Sequence, residues 1–324
     1  MKNYNYILII LSVCVLIFLG FFLLSSKDPG EVSSQRPLVS SMTVSVPVPD
    51  RVEFCGDMIS LDRFDMRERF DREINSFTYL HSTTLLYLKR ANRYFPIIEP
   101  ILRKNEIPDD FKYLCVIESN LDIRALSPAK AAGLWQFLES TGKSYGLEIT
   151  SEVDERYHIE KATEAACKYF KDAYTRYGNW VNVAASYNAG MGRISSSMQQ
   201  QMVDSAFDLL LVQETSRYVF RIMAIKQVFM NPYKYGFILK KEDFYPYIPV
   251  EYVNVTSSIT DFAAFAQENG INYMHLKEFN TWLRDTKLTV KPGKSYNIAI
   301  PKSEDMFYDK HKIKVHSKAW IAEH

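Results

Sequence analysis

Apolar and polar positions alternate along the chain in ways that predict its elements. Ile7 to Leu24 is an uncharged run long enough to cross a hydrocarbon core as a helix, with Lys2 before it and Lys27 and Asp28 after it. We read residues 1–26 as a membrane anchor or signal segment. Cleavage as a signal peptide is one alternative. Lipidation at Cys14 is another, although Leu11-Ser12-Val13-Cys14 fits a lipidation site poorly. Residues 27–50 turn to Ser, Pro, Val and Thr without a helical period, as expected of a flexible linker.

Helical periodicity begins near Asp62. It strengthens through Leu85, Leu86, Leu88, Ala91, Tyr94, Phe95, Ile98, Ile101 and Leu102, which recur at spacings of three and four. Pro108 followed by Asp109 and Asp110 signals a new helix start. Phe111, Leu114, Cys115 and Glu118 then share one face of that helix. A carboxylate closing an apolar face is partly desolvated, which raises its pKa and suits it to act as a general acid near neutral pH. Considered alone, Glu118 reads sooner as a structural carboxylate paired with a base across the core.

A second strongly periodic segment, Ala162, Ala165, Ala166, Tyr169, Phe170, Ala173 and Tyr174, leads into another that ends at Ser186-Tyr187-Asn188-Ala189-Gly190. After about Asp243 the pattern becomes strand, helix, helix, strand: Tyr252 to Val255, Ile259 to Gln267, Met274 to Phe279, and Tyr296 to Ile300. The expected fold class is mainly α, with a small α+β module at the C-terminal side. The expected domains are residues 51–242 and 243–301, followed by a tail at 302–324 with no readable pattern.

Composition narrows the chemistry. The 324 residues are 47% hydrophobic and 24% charged, as expected of a folded chain. Lys plus Arg number 39 against 38 Asp plus Glu, so no global field favours nucleic acid as a partner. The six histidines form no His-Glu-x-x-His pattern. Cys55, Cys115 and Cys167 lie too far apart for a zinc set and read as small hydrophobes, so no metal and no cofactor is expected. Phosphate-binding glycine loops and the Gly-x-Ser-x-Gly elbow are absent from the sequence.

Glu118-Ser119, Gly133-Leu134-Trp135-Gln136, Tyr187-Asn188-Ala189-Gly190, and Gln213-Glu214-Thr215 with Tyr218 occur in this order. The set resembles the soluble lytic transglycosylase domain, most closely its membrane-bound D-type branch. The resemblance implies a lysozyme-like helical fold acting on peptidoglycan glycan strands, with Glu118 as the single acid and then base, and a 1,6-anhydromuramoyl product. It further implies that Ser119 orients Glu118 and that Gln136 binds an acetamido group. Tyr187 and Asn188 would line the cleft with Ser127, Glu214 and Tyr218. Trp135 reads as a packing residue and Asp122 as a loop residue. Lys130, where many relatives have Gly, and Ser186, where Ala often stands, depart from the pattern without removing a needed chemical group. The segment around Asn280 resembles a diverged LysM module that could bind glycan. A hydrolytic muramidase and an inactive binding protein on the same scaffold are the alternatives. The expected location is the cell envelope on the periplasmic side, held to the membrane by residues 7–24, or else secreted or lipidated after signal cleavage.

Overall fold

Two consecutive left-handed residues, Cys55 (φ 53°) and Gly56 (φ 92°), reverse the chain between strands β1 (Arg51–Phe54) and β2 (Asp57–Ser60). These pair antiparallel, with Arg51 opposite Ser60. A tight turn with both central residues at positive φ matches the twist of a hairpin, which explains the glycine. Periodicity does not foretell this hairpin, since the helical pattern starts only near Asp62, inside the domain expected from residue 51. The computed structural model describes residues 43–321, so the anchor expected at 7–24 and Cys14 lie outside the described residues. No described helix is long and apolar enough to cross a membrane.

The long periodic region is two helices, α1 (Phe64–Tyr79) and α2 (His81–Lys104), broken at Leu80 (ψ 56°). On α2 the stripe Leu88, Ala91, Phe95, Ile98 and Leu102 is fully buried, as its spacing requires. A 3-10 turn at Asp109–Phe111 leads into α3 (Lys112–Ser119). Then come α4 (Glu139–Ser144), α5 (Ile159–Tyr177), α6 (Trp180–Ala189), α7 (Met191–Gln201) and α8 (Gln213–Met230). Helix α8 runs against α1, α3 and α6, and its residues Phe220, Ile222, Met223, Ala224 and Ile225 have no exposed surface. The fold is mainly α, as expected.

Asp110 acts less as a helix-start charge than as an anchor. Its Oδ2 accepts from the Cys55 amide at 2.6 Å and from Lys226 of α8 at 2.7 Å. Lys226 also pairs with Glu53, so one ammonium ties the hairpin and the start of α3 to α8. Cys115 and Cys167 are buried and Cys55 is half-buried, all as free thiols.

The C-terminal module pairs β3 (Val250–Val255) with β4 (Tyr296–Pro301) antiparallel, flanking α9 (Phe262–Glu268) and α10 (Tyr273–Phe279). Its core includes Phe262, Leu276, Trp282 and Ile298, and it shares Ala132, Val153 and Tyr157 with the helical region. Backbone bonds cross the seam: Asp154 donates to the Trp282 carbonyl at 2.8 Å and Arg284 to the Glu152 carbonyl at 2.8 Å. From Val46 onward the described residues pack as one unit. The tail that lacked pattern in the sequence returns to the main core. Ile313 and Trp320 are buried there, and the Trp320 indole donates to the Phe229 carbonyl at 2.9 Å.

Candidate active site

Helix α3 stops immediately after the Glu118-Ser119 pair, because Asn120 (φ 56°) and Leu121 (φ 53°) both adopt the left-handed conformation. Their amides return to the Val116 and Cys115 carbonyls at 3.0 and 3.4 Å, closing the helix end. Two non-glycine residues in that region carry a steric cost that surrounding packing must offset. Here Leu121 is wholly buried, and the Asn120 side chain accepts from Tyr87 at 2.7 Å. The effect is to fix the last turn of α3, on which Glu118 stands.

Phe111, Leu114 and Cys115 are fully buried and Glu118, next on that face, is half-buried. Its carboxyl thus has apolar surroundings and a window to solvent. Burial raises its pKa to about 7. The hydrogen bond from Tyr218 and the charge of Arg221 pull the other way, and the Glu214 carboxylate pushes upward again. Tyr218, itself buried, donates to Glu118 Oε1 at 2.5 Å. Glu214, Tyr218 and Arg221 are spaced by four and three residues and so share one face of α8. Arg221 also reaches the Ile117 carbonyl at 3.5 Å. The sequence reading missed Arg221, although its spacing from Tyr218 was available as a signal.

Burial pushes the Tyr187 phenol upward, with the Glu118 charge adding to it, and its hydroxyl donates to the Trp135 carbonyl at 2.7 Å. Trp135 is buried and donates to Thr163 at 2.9 Å, which makes it a packing residue. Asn188, at the end of α6, accepts from Thr215 at 2.8 Å and donates to Glu214 at 3.4 Å, joining α6 to the first turn of α8.

Two of the expected site residues bond within their own segments. The Ser119 hydroxyl donates to the Cys115 carbonyl at 2.8 Å, one turn back in its own helix, where it is buried. Gln136 uses its amide nitrogen on the Gly133 and Ala125 carbonyls at 2.8 and 3.2 Å, which holds its own loop together. Ser127 likewise accepts from the Ala131 amide at 3.0 Å in a turn of that loop. Asp122 accepts from the Arg124 amide at 2.9 Å, an Asx turn consistent with a loop role.

The loop rests on Arg156, whose guanidinium donates to the Lys130 carbonyl at 2.8 Å and the Phe137 carbonyl at 3.2 Å while pairing with Asp154 at 2.7 Å. Gly133 (φ 75°) passes so close to Arg156 that an added Cβ would lie 1.9 Å from its carbonyl oxygen. Only glycine satisfies both conditions. No group of three or more His, Cys, Asp or Glu suited to a metal occurs among the described residues.

Residues 95–208, which include Glu118, match the family model of the transglycosylase SLT domain. The matched stretch, residues 95–208, is an SLT segment. Residues 251–304 match the C-terminal LysM-like domain of soluble lytic transglycosylases, so the module beside the SLT domain is LysM-like. The chain is 29% identical over 290 residues to membrane-bound lytic murein transglycosylase D of Escherichia coli K12, covering 86% of this chain and 62% of that protein. It therefore spans less than two thirds of the length of that relative. A putative tributyltin chloride resistance protein of Alteromonas sp. strain M-1 is 29% identical over 117 residues, 36% of this chain and 56% of that one. The 70-kDa soluble lytic transglycosylase in complex with bulgecin A aligns with a TM-score of 0.40 and 21% identity, over 52% of this chain and 31% of that one.

Proposed function

We propose that this chain is a peptidoglycan lytic transglycosylase cutting the bond between N-acetylmuramic acid and N-acetylglucosamine. The observation that carries this reading is Glu118 itself, a half-buried carboxyl in an SLT domain with its pKa lifted to about 7 and a 2.5 Å bond from Tyr218. A carboxyl poised there is protonated often enough to act as an acid and becomes a competent base once it has given up the proton. Glu118 donates its proton to the glycosidic oxygen as the C1–O bond breaks. The resulting carboxylate then takes the proton of the muramoyl 6-hydroxyl as that oxygen attacks C1, closing a 1,6-anhydro ring and restoring the acid. No water is consumed. Tyr218 holds the carboxyl in place through both steps, and the charge of Arg221 favours the carboxylate between them. Tyr187, Asn188, Glu214, Ser127 and Gln136 shape the cleft, the last two through their loop. The chain acts in the cell envelope on the periplasmic side, with residues 7–24 as its membrane anchor.

Hydrolysis is the competing reading, since Glu214, exposed in the first turn of α8, is the second carboxylate that could activate water. Mass spectrometry of products from purified peptidoglycan separates the two. Anhydromuramoyl ends from the wild type, reduced at least a thousandfold in Glu118→Gln, support the proposal. Reducing muramoyl ends establish a hydrolase, and no products from a folded, polymer-bound protein leave only a binding role.

A further inference from the structure

Five consecutive residues at the start of α8 are each held by a partner on another element. Glu214 and Thr215 bond to Asn188 of α6, and Tyr218 bonds to Glu118 of α3. Between them, α1 takes Ser216 and Arg217. Arg69 donates to the Ser216 carbonyl at 2.6 Å and lies over the Phe220 ring, 4.4 Å from its centre. One turn further along α1, Glu73 accepts both arms of the Arg217 guanidinium, Nε at 2.6 Å and a terminal nitrogen at 2.9 Å. Glu73 is 1% exposed, and Arg72 stands off at 3.8 Å as a second, more distant guanidinium. A two-point bond between planar groups fixes an angle as well as a distance. Glu73 and Arg217 both lie outside residues 95–208, the stretch matched to the SLT domain.

Successive helical residues project about 100° apart, so the rotation of α8 that seats Arg217 on α1 also aims Tyr218 at α3. With side chains reaching roughly 5 Å from the helix axis, a turn of about 10° moves a tip by about 1 Å. That would stretch the 2.5 Å bond from Tyr218 to Glu118 to the limit of hydrogen bonding. We propose that Glu73 and Arg217 are positioning residues for the reaction, their pair setting the rotation of α8 at which the Tyr218 hydroxyl meets Glu118. They act on the acid only through Tyr218. This rests on reading Glu118 as the acid of a transglycosylase.

The test is Arg217→Lys, which keeps every charge but replaces the planar fork by a single ammonium. Carboxyl-carbon NMR on glutamate-labelled protein, with Glu118→Gln to assign the signal, follows the Glu118 titration without any need for turnover. Loosening the Tyr218 bond weakens a donor that favours the carboxylate, so the Glu118 midpoint is expected to rise by about half a pH unit. In a Tyr218→Phe background the same change is expected to leave the midpoint in place. Glu73→Gln is the second variant. Losing a negative charge lowers the Glu118 midpoint by itself, so a rise in that variant has lost positioning as its cause. A Glu118 midpoint that stays put while the thermal midpoint falls, or one that moves equally with and without the Tyr218 hydroxyl, overturns the proposal. A pair without which neither variant folds is structural, which overturns it as well. Anhydromuramoyl product from the wild type is scored separately, so failure of the transglycosylase reading is seen independently.

Discussion

Glu118 and Asn280 occupy similar places, each at the C-terminal end of a short helix, and the protein treats them in opposite ways. Asn280 is wholly buried and fully used: its amide nitrogen donates to the Leu276 and Ala299 carbonyls at 2.9 and 2.7 Å, and its oxygen accepts from the Ala299 amide at 2.8 Å. It fastens α10 to β4. Glu118 also has its surroundings fixed, by the left-handed turn behind it and by Tyr218, yet it keeps an open side and a pKa far from the ordinary carboxyl value. A buried polar group whose bonds are all made stabilises a fold, whereas one left short of partners in an apolar setting retains capacity for chemistry.

The sharpest way to break this contrast is Asn280→Ala, which strands the amide and carbonyl of Ala299. We expect a loss of about 3 kcal/mol in urea unfolding with turnover per folded molecule unchanged. A fall in turnover at full stability would mean that the module's contact with the SLT domain matters to the chemistry.

Next in size is the pH dependence of Glu118. Its proton is held more tightly in the folded state than in the unfolded chain, so the stabilisation it gives is present below about pH 4.5 and is lost as pH rises through about 7. Glu118→Gln should therefore match the wild type near pH 4 and exceed it at pH 8 by on the order of 2 kcal/mol. Parallel thermal scans at the two pH values check this, and equal curves at pH 8 would show a carboxyl at its ordinary value.

The smallest effect is expected from Tyr218→Phe. Removing a donor that favours the carboxylate pushes the Glu118 pKa further up, moving the alkaline limb of the rate profile to higher pH. We expect kcat to fall about tenfold. A limb that stays in place would show that Tyr218 only packs against the acid.

Much of this was legible in the sequence because it is periodic. The stripe leading to Glu118 follows from positions 111, 114 and 115, and the strand, helix, helix, strand order of the module follows from its punctuation. Roles that depend on where a polar group finds its partner were not legible. The Ser119 hydroxyl is captured by its own helix, and the Gln136 carboxamide by carbonyls that approach only because Gly133 lets the loop fold onto Arg156. The Cys55-Gly56 hairpin carried a turn signal between short β-like runs that the helical pattern overshadowed. Ile313 and Trp320 lack period because each fills a gap in a core built by other segments.

That last feature bears on the order in which the protein is made. Trp320 covers Phe229 from 91 residues further along the chain. A growing chain that has already completed α8 must carry that aromatic face uncovered while those residues are added. The helical core therefore closes only once residue 320 has been added, and until then the nascent chain carries exposed apolar surface prone to association.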